Sequence, residues 1–124
     1  MLIIGTLLLL IISIVHSYLG EKYLLIRLFR RKDLPKLLGS DWFTKRLLRF
    51  AWHLTTLAWL GFAAILYVLS KPSVNVQREI LIIIAAVFVL SGMVSLLFSR
   101  GKHLSWLFFF TIAATSYYGA ICSL

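Results

Sequence analysis

Three histidines and one glutamate are the residues of this chain whose chemistry is most versatile. His16, His53 and His103 are its only imidazoles, and Glu21 is one of four acidic residues among 124. Imidazole is the commonest metal ligand in proteins and changes charge near neutral pH. His16 and Glu21 stand where a long apolar run stops, and ionisable groups at such depths lean towards function. These four residues form the candidate site. Whether they can lie close together depends on the helices and loops that carry them.

The composition predicts that those elements lie in lipid. Hydrophobic residues make up 61% of the chain, and the mean hydropathy is +0.97. A water-soluble domain of this length could not bury so much apolar surface. The single cysteine, Cys122, excludes a disulfide within the chain and a metal site built from several thiolates. We therefore expect one all-α domain, residues 1–124, that is a polytopic membrane protein.

Four apolar runs predict four transmembrane helices in an up-down bundle, joined between the first two by a basic loop at 20–46. The predicted spans are residues 2–19, 47–69, 80–98 and 103–124. The first run lacks a basic leader and a clear cleavage site, which favours a retained helix over a signal peptide. The segment 23–31 mixes apolar and basic residues, and it either continues the first helix or forms a helix lying in the interface.

The basic residues are distributed unequally between the two sides that four spans define. Eleven fall on the side of the 20–46 loop, and only Lys71 and Arg78 fall on the other. The positive-inside rule then predicts a cytoplasmic loop and outward-facing termini, in a bacterial-type inner membrane or a plasma membrane.

The net charge of +9 would indicate nucleic acid as the partner of a soluble protein. Here the charges flank apolar runs, so the predicted partner is the bilayer with its anionic headgroups, and nucleic acid is not expected. The residues predicted to contact headgroups are Arg27, Arg30, Arg31 and Lys32.

The same topology places all three histidines on the loop side. If the first helix neighbours both the second and the fourth, His16, His53 and His103 can approach one another and bind a divalent metal, with Glu21 as a fourth ligand. Glu21 follows His16 by five residues, which is about 140° around a helix. It can therefore join His16 only if the helix ends or bends at Gly20.

Haem and a proton relay are alternative uses of these residues. His16 and His53 are matched in depth as axial haem ligands, and Arg46 and Arg49 could hold the propionates. A proton relay would use the histidines with water between them. A plainer interpretation also exists, because an interfacial histidine such as His103 often needs no partner.

We therefore expect a small membrane protein with a histidine-based metal, haem or proton site at the cytoplasmic face, without assigning an enzyme class. One alternative is a channel or transporter with a histidine gate. Four helices leave little room for a pathway, so that alternative implies a homo-oligomer or a partner membrane subunit. The other alternative is a non-catalytic assembly or lipid-binding protein.

Overall fold

The structure is a computed structural model that describes residues 1–122, and within that range it is helical without strands. Each of its four long helices is long and apolar enough to cross a membrane. The helices are α1 (Leu2–Leu28), α2 (Asp41–Leu69), α3 (Val76–Ser99) and α4 (Ser105–Cys122). The predicted all-α, four-helix, multi-pass membrane fold is confirmed. The predicted end of the last span, at residues 123–124, lies outside the described residues.

The first two helices extend beyond the apolar runs that predicted them. α1 continues through the basic segment to Leu28, and α2 begins at Asp41, ahead of the predicted span. Lys, Arg and Leu are good helix formers, and long basic side chains keep their charges in water while their stems cover apolar surface. α4 instead begins at Ser105, so His103 lies in the preceding turn.

Polar residues define the helix boundaries of the second hairpin. The Asn75 side chain accepts a hydrogen bond from the Arg78 backbone N–H at 3.0 Å and caps the start of α3. At its other end Arg100 adopts a left-handed backbone with φ 50°, followed by Gly101 with φ 77°. A left-handed residue directly after the last helical turn is the usual way to end a helix sharply.

Only consecutive helices pack together. α1 packs on α2, α2 on α3 and α3 on α4, and the described backbones of α1 and α4 do not approach one another. The expectation that the first helix neighbours the fourth is therefore wrong. In lipid the apolar faces of a row of helices are already solvated, so no hydrophobic force closes the row into a ring.

Small residues let the packed helices come close. A Cβ on Gly92 would lie 2.7 Å from the Phe110 ring of α4, so glycine alone leaves room for that ring. Ser95, one helical turn further along α3, is fully buried and hydrogen-bonds the Ser105 hydroxyl across the interface at 2.6 Å. Packing of small residues and hydrogen bonds between hydroxyls hold α3 and α4 together.

Candidate functional site

A ladder of polar side chains joins α1 to α2 near the end of the bundle that carries the 29–40 loop, called here the basic end. Ser17 and Glu21 are four residues apart on α1, and Arg49 and His53 are four apart on α2. Residues at this spacing share one helical face. Because the two helices run in opposite directions, the two pairs face one another, with His53 between Ser17 and Glu21.

The geometry of this ladder is that of a connected hydrogen-bond network. The Ser17 hydroxyl lies 2.9 Å from Nδ1 of His53, and Nε2 of His53 lies 3.1 Å from Oε2 of Glu21. Arg49 contacts both oxygens of the same carboxylate, at 2.7 Å from Oε1 and 3.2 Å from Oε2. A guanidinium that engages both oxygens is the strongest common partner of a carboxylate, so Glu21 is firmly placed.

The local shape of α1 explains how Glu21 reaches His53. From Gly20 to Leu25 the helix widens into a π-helical segment, and it neither ends nor breaks at Gly20. At the same place the Trp52 indole N–H donates to the His16 carbonyl at 3.1 Å. The His16 carbonyl also accepts from the Gly20 backbone N–H, so the indole is a second donor to it. π-helical turns are frequent at functional sites.

His16 belongs to a different environment from His53. Its ring stacks on Trp52, with centroids 4.3 Å apart and planes 5° from parallel, and the Trp59 ring lies 4.8 Å away. Nε2 of His16 is buried without a hydrogen-bond partner among the described residues. His16 thus packs between two indoles, whereas Glu21 contacts His53.

His103 is separated from both of these histidines. It lies in the turn before α4, where Nδ1 is 2.7 Å from the Ser105 hydroxyl and its ring is 6.2 Å from the Phe50 ring. The open order of the helices is the reason, because α4 contacts only α3. The three imidazoles share one end of the protein but do not converge.

The residues proposed to bind a metal or haem are therefore dispersed. Within residues 1–122, no three histidine, cysteine, aspartate or glutamate residues form a group that could hold a metal ion. Of the two arginines expected to hold haem propionates, Arg49 pairs with Glu21, and Arg46 donates to the backbone carbonyls of Leu97 and Phe98 at the end of α3. The geometry gives no support to the metal or haem prediction.

The four residues predicted to contact headgroups are exposed at the basic end. The Arg27 guanidinium lies 5.7 Å from the Tyr23 ring centroid. Arg31 forms an exposed pair with Asp33 at 2.5 Å, and its hydrogen bond to that carboxyl lowers the pKa of Asp33 below its ordinary value. Arg30 and Lys32 have no ion-pair partner within the described chain.

Ser17 and Trp52 were not among the predicted site residues. The signal for Ser17 is the matched spacing of Ser17 with Glu21 and of Arg49 with His53 on helices that a loop makes antiparallel. Trp52 gives no comparable signal, because its contact with Gly20 depends on how the two helices are rotated against each other.

A groove beside the ladder opens from Ser17 towards the interior of the membrane. It has a volume of about 450 Å³ and is lined by Ser13, Ile14, Ser17, Tyr18, Thr56 and Leu60. The Thr56 hydroxyl is buried without a hydrogen-bond partner among the described residues. The hydroxyls of Ser13, Ser17 and Thr56 thus lie along one side of the ladder.

Comparison with known proteins gives no guide to the role of this site, since no protein-family model, curated protein or solved structure matches the chain.

Proposed function

We propose that the protein is a small proton-transferring membrane protein in which His53 binds the transferred proton. One observation carries the proposal: His53 is held between a carboxylate, which accepts hydrogen bonds, and a hydroxyl, which can either donate or accept. An imidazole between such partners keeps both of its hydrogen bonds whether it is neutral or charged.

The two states differ only at Nδ1 of His53. In the neutral ring Nε2–H donates to Glu21, and Nδ1 accepts from the Ser17 hydroxyl. In the charged ring Nδ1–H donates to the same hydroxyl oxygen, so proton uptake requires only that the Ser17 O–H rotate. Glu21, held by Arg49, places a negative charge beside the imidazolium. Both ring nitrogens of His53 keep a partner when the proton arrives or leaves, which makes exchange inexpensive.

The groove supplies the second half of the proposed path. From His53 a proton would pass to the Ser17 hydroxyl and then towards the hydroxyls of Ser13 and Thr56, which line the groove. We propose that the basic end faces the cytoplasm, with both termini outside. The division of eleven basic residues against two supports this orientation.

The test is proton flux into liposomes that contain the full-length protein and a trapped pH-sensitive dye. His53→Gln should abolish the protein-dependent flux, because glutamine keeps polarity but cannot bind the proton. Ser17→Ala should also lower it, whereas Ser17→Thr keeps the hydroxyl and should retain it. His103→Gln is the matched control, since His103 lies outside the ladder. Equal flux through the parent and His53→Gln would refute the proposal.

A nitrogen-15 NMR measurement on histidine-labelled protein tests the same site without relying on transport. His53 should be hydrogen-bonded at both ring nitrogens, at Nδ1 to the Ser17 hydroxyl and at Nε2 to the Glu21 carboxylate. A His53 ring nitrogen without a hydrogen bond would contradict the proposal, whatever the flux assay gives.

A second candidate function follows from the same contacts. A serine hydroxyl on an imidazole whose other nitrogen meets a carboxylate is an arrangement that activates a nucleophile. Ser17 Oγ would add to an ester carbonyl as its proton passes to His53; that proton would go to the leaving alcohol, and water would release the acyl group. A fluorophosphonate should then label the parent but not Ser17→Ala, and an unlabelled parent would eliminate this candidate.

A further inference from the structure

A second cluster of functional side chains surrounds Trp42 in the first turn of α2, at the basic end. Three cations lie over its ring: the Arg46 guanidinium at 5.2 Å from the centroid, that of Arg100 at 4.9 Å and the Lys102 ammonium at 5.4 Å. No two of these charges can be more than about 11 Å apart, which is comparable with the Debye length of about 8 Å in physiological salt. They therefore repel one another.

The described part of the chain, residues 1–122, has no side-chain carboxylate left to neutralise this cluster. It contains four acidic residues, and each is engaged elsewhere. The engagements are Glu21 with Arg49 and His53, Asp33 with Arg31, Asp41 with Lys45, and Glu79 with Ser73. Among the described residues, none of the ion pairs includes Arg46, Arg100 or Lys102. The ring face of Trp42 attracts cations but carries no net charge, so the counter-charge must come from outside the protein.

Backbone features fix the positions of Arg46 and Arg100 in this cluster. Arg46 reaches from α2 to the carbonyls of Leu97 and Phe98 and thereby fixes the end of α3 against the start of α2. Arg100 occupies a left-handed backbone position, which glycine normally takes after a helix. An arginine there is strained, and strained residues concentrate at sites that clamp ligands. The side chains of Arg100 and Lys102 donate no hydrogen bond to any residue in the described part of the chain.

We propose that Trp42, Arg46, Arg100 and Lys102 form a binding site for a phosphate group at the membrane surface. A phosphate offers several acceptor oxygens and a negative charge, which match the free donors of Arg100 and Lys102. The position beside a tryptophan at the end of a spanning helix is the depth of lipid headgroups. An anionic phospholipid and free phosphate share this chemistry, and the site is independent of the His53 ladder.

Native mass spectrometry of the full-length protein, released from micelles that contain phosphatidylglycerol or phosphatidylcholine, tests the site. The parent should retain phosphatidylglycerol preferentially. Removing both free cations, in Arg100→Gln with Lys102→Gln, should weaken that binding about thirtyfold, because each basic residue near an anionic surface contributes about fivefold. The charge-matched control, Lys22→Gln with Lys36→Gln, removes two exposed cations from the same end and should bind as the parent does.

Inorganic phosphate separates the two sources of the ligand. Displacement of the lipid by millimolar phosphate would show that the site also accepts free phosphate, and retention would show that it requires the lipid headgroup. Parent-like binding by the double variant at Arg100 and Lys102, or an equal loss in the control, would overturn the proposal. If that variant does not fold, Lys102→Gln alone, in the exposed turn, should still weaken binding about fivefold, and unchanged binding would again overturn it.

Discussion

Gly20→Ala adds only a methyl group, but it should strongly destabilise the contact between α1 and α2. A Cβ at this position would lie 2.0 Å from Nε1 of Trp52 and 2.2 Å from Cε2. Ordinary contacts between such atoms are about 3.5 Å, so the indole would have to move by about 1.5 Å. The ring cannot move freely, because its N–H is bonded to the His16 carbonyl and its face is stacked on the His16 ring.

The magnitude follows from what the displaced indole loses. The hydrogen bond contributes about 1 kcal/mol and the ring stack about 0.5–1.5 kcal/mol, and repacking an overfilled interface typically costs about 1–3 kcal/mol. Alanine regains up to about 1 kcal/mol through its higher helix propensity. We therefore expect the free energy of unfolding to fall by roughly 2–4 kcal/mol.

Equilibrium unfolding in mixed micelles, followed by circular dichroism, measures this loss. Gly119→Ala is the matched control, since its new Cβ would lie 3.5 Å from Cδ1 of Leu81, an ordinary contact, and the gain in helix propensity is the same. On a Trp52→Ala background Gly20→Ala should become harmless. The reasoning fails if Gly20→Ala is as stable as the control, or if its effect persists without the indole.

Three further predictions concern single polar contacts. Asn75→Ala should lower the free energy of unfolding by about 1 kcal/mol, since the Arg78 N–H loses its cap, whereas Asn75→Asp should retain stability; equal losses in the two would contradict the capping role. Arg31→Gln should raise the pKa of Asp33 towards its ordinary value, as measured by carboxyl carbon NMR. Because pairing with Arg31 lowers that pKa, the stabilising effect of the pair is present above the ordinary aspartate range and is lost as pH falls through the lowered value. An unchanged pKa of Asp33 in the variant would count against the pair. Glu21→Gln should lower the free energy of unfolding by about 1 kcal/mol, because its partly exposed partners lose a charged acceptor, and parent-like unfolding in micelles would exclude a structural role for this carboxylate.

The sequence predicted the helices better than it predicted their ends. Apolar runs identified all four spans, because only lipid can accommodate so much apolar surface on so short a chain. The predicted span of the second helix begins at 47, and α2 itself begins six residues earlier, at Asp41, because basic residues at a membrane surface are compatible with helix. Hydropathy locates the part of a helix inside the lipid and not the whole hydrogen-bonded element.

The candidate site was predicted as a set of residues and not as an arrangement. His53 and Glu21 were singled out by type and depth, and the structure brings them to 3.1 Å. The predicted convergence with His103 required α4 to lie beside α1, and that packing does not occur. The side of the membrane gives only the position of a residue along the membrane normal. A site also requires that the two helices be rotated so that its residues face one another.

Composition, charge and spacing thus determined that the helices lie in lipid, how many spans there are and how few ionisable groups they carry. Each of these properties depends on the residues themselves. The tertiary structure alone decided which groups meet. Trp52 fits against Gly20 as α1 widens, so the carboxylate of Glu21 faces His53 and Arg49 while His16 packs between indoles. The physical reason is that helix rotation and register are set by close packing between neighbours, a property of helix pairs that no single run of residues contains.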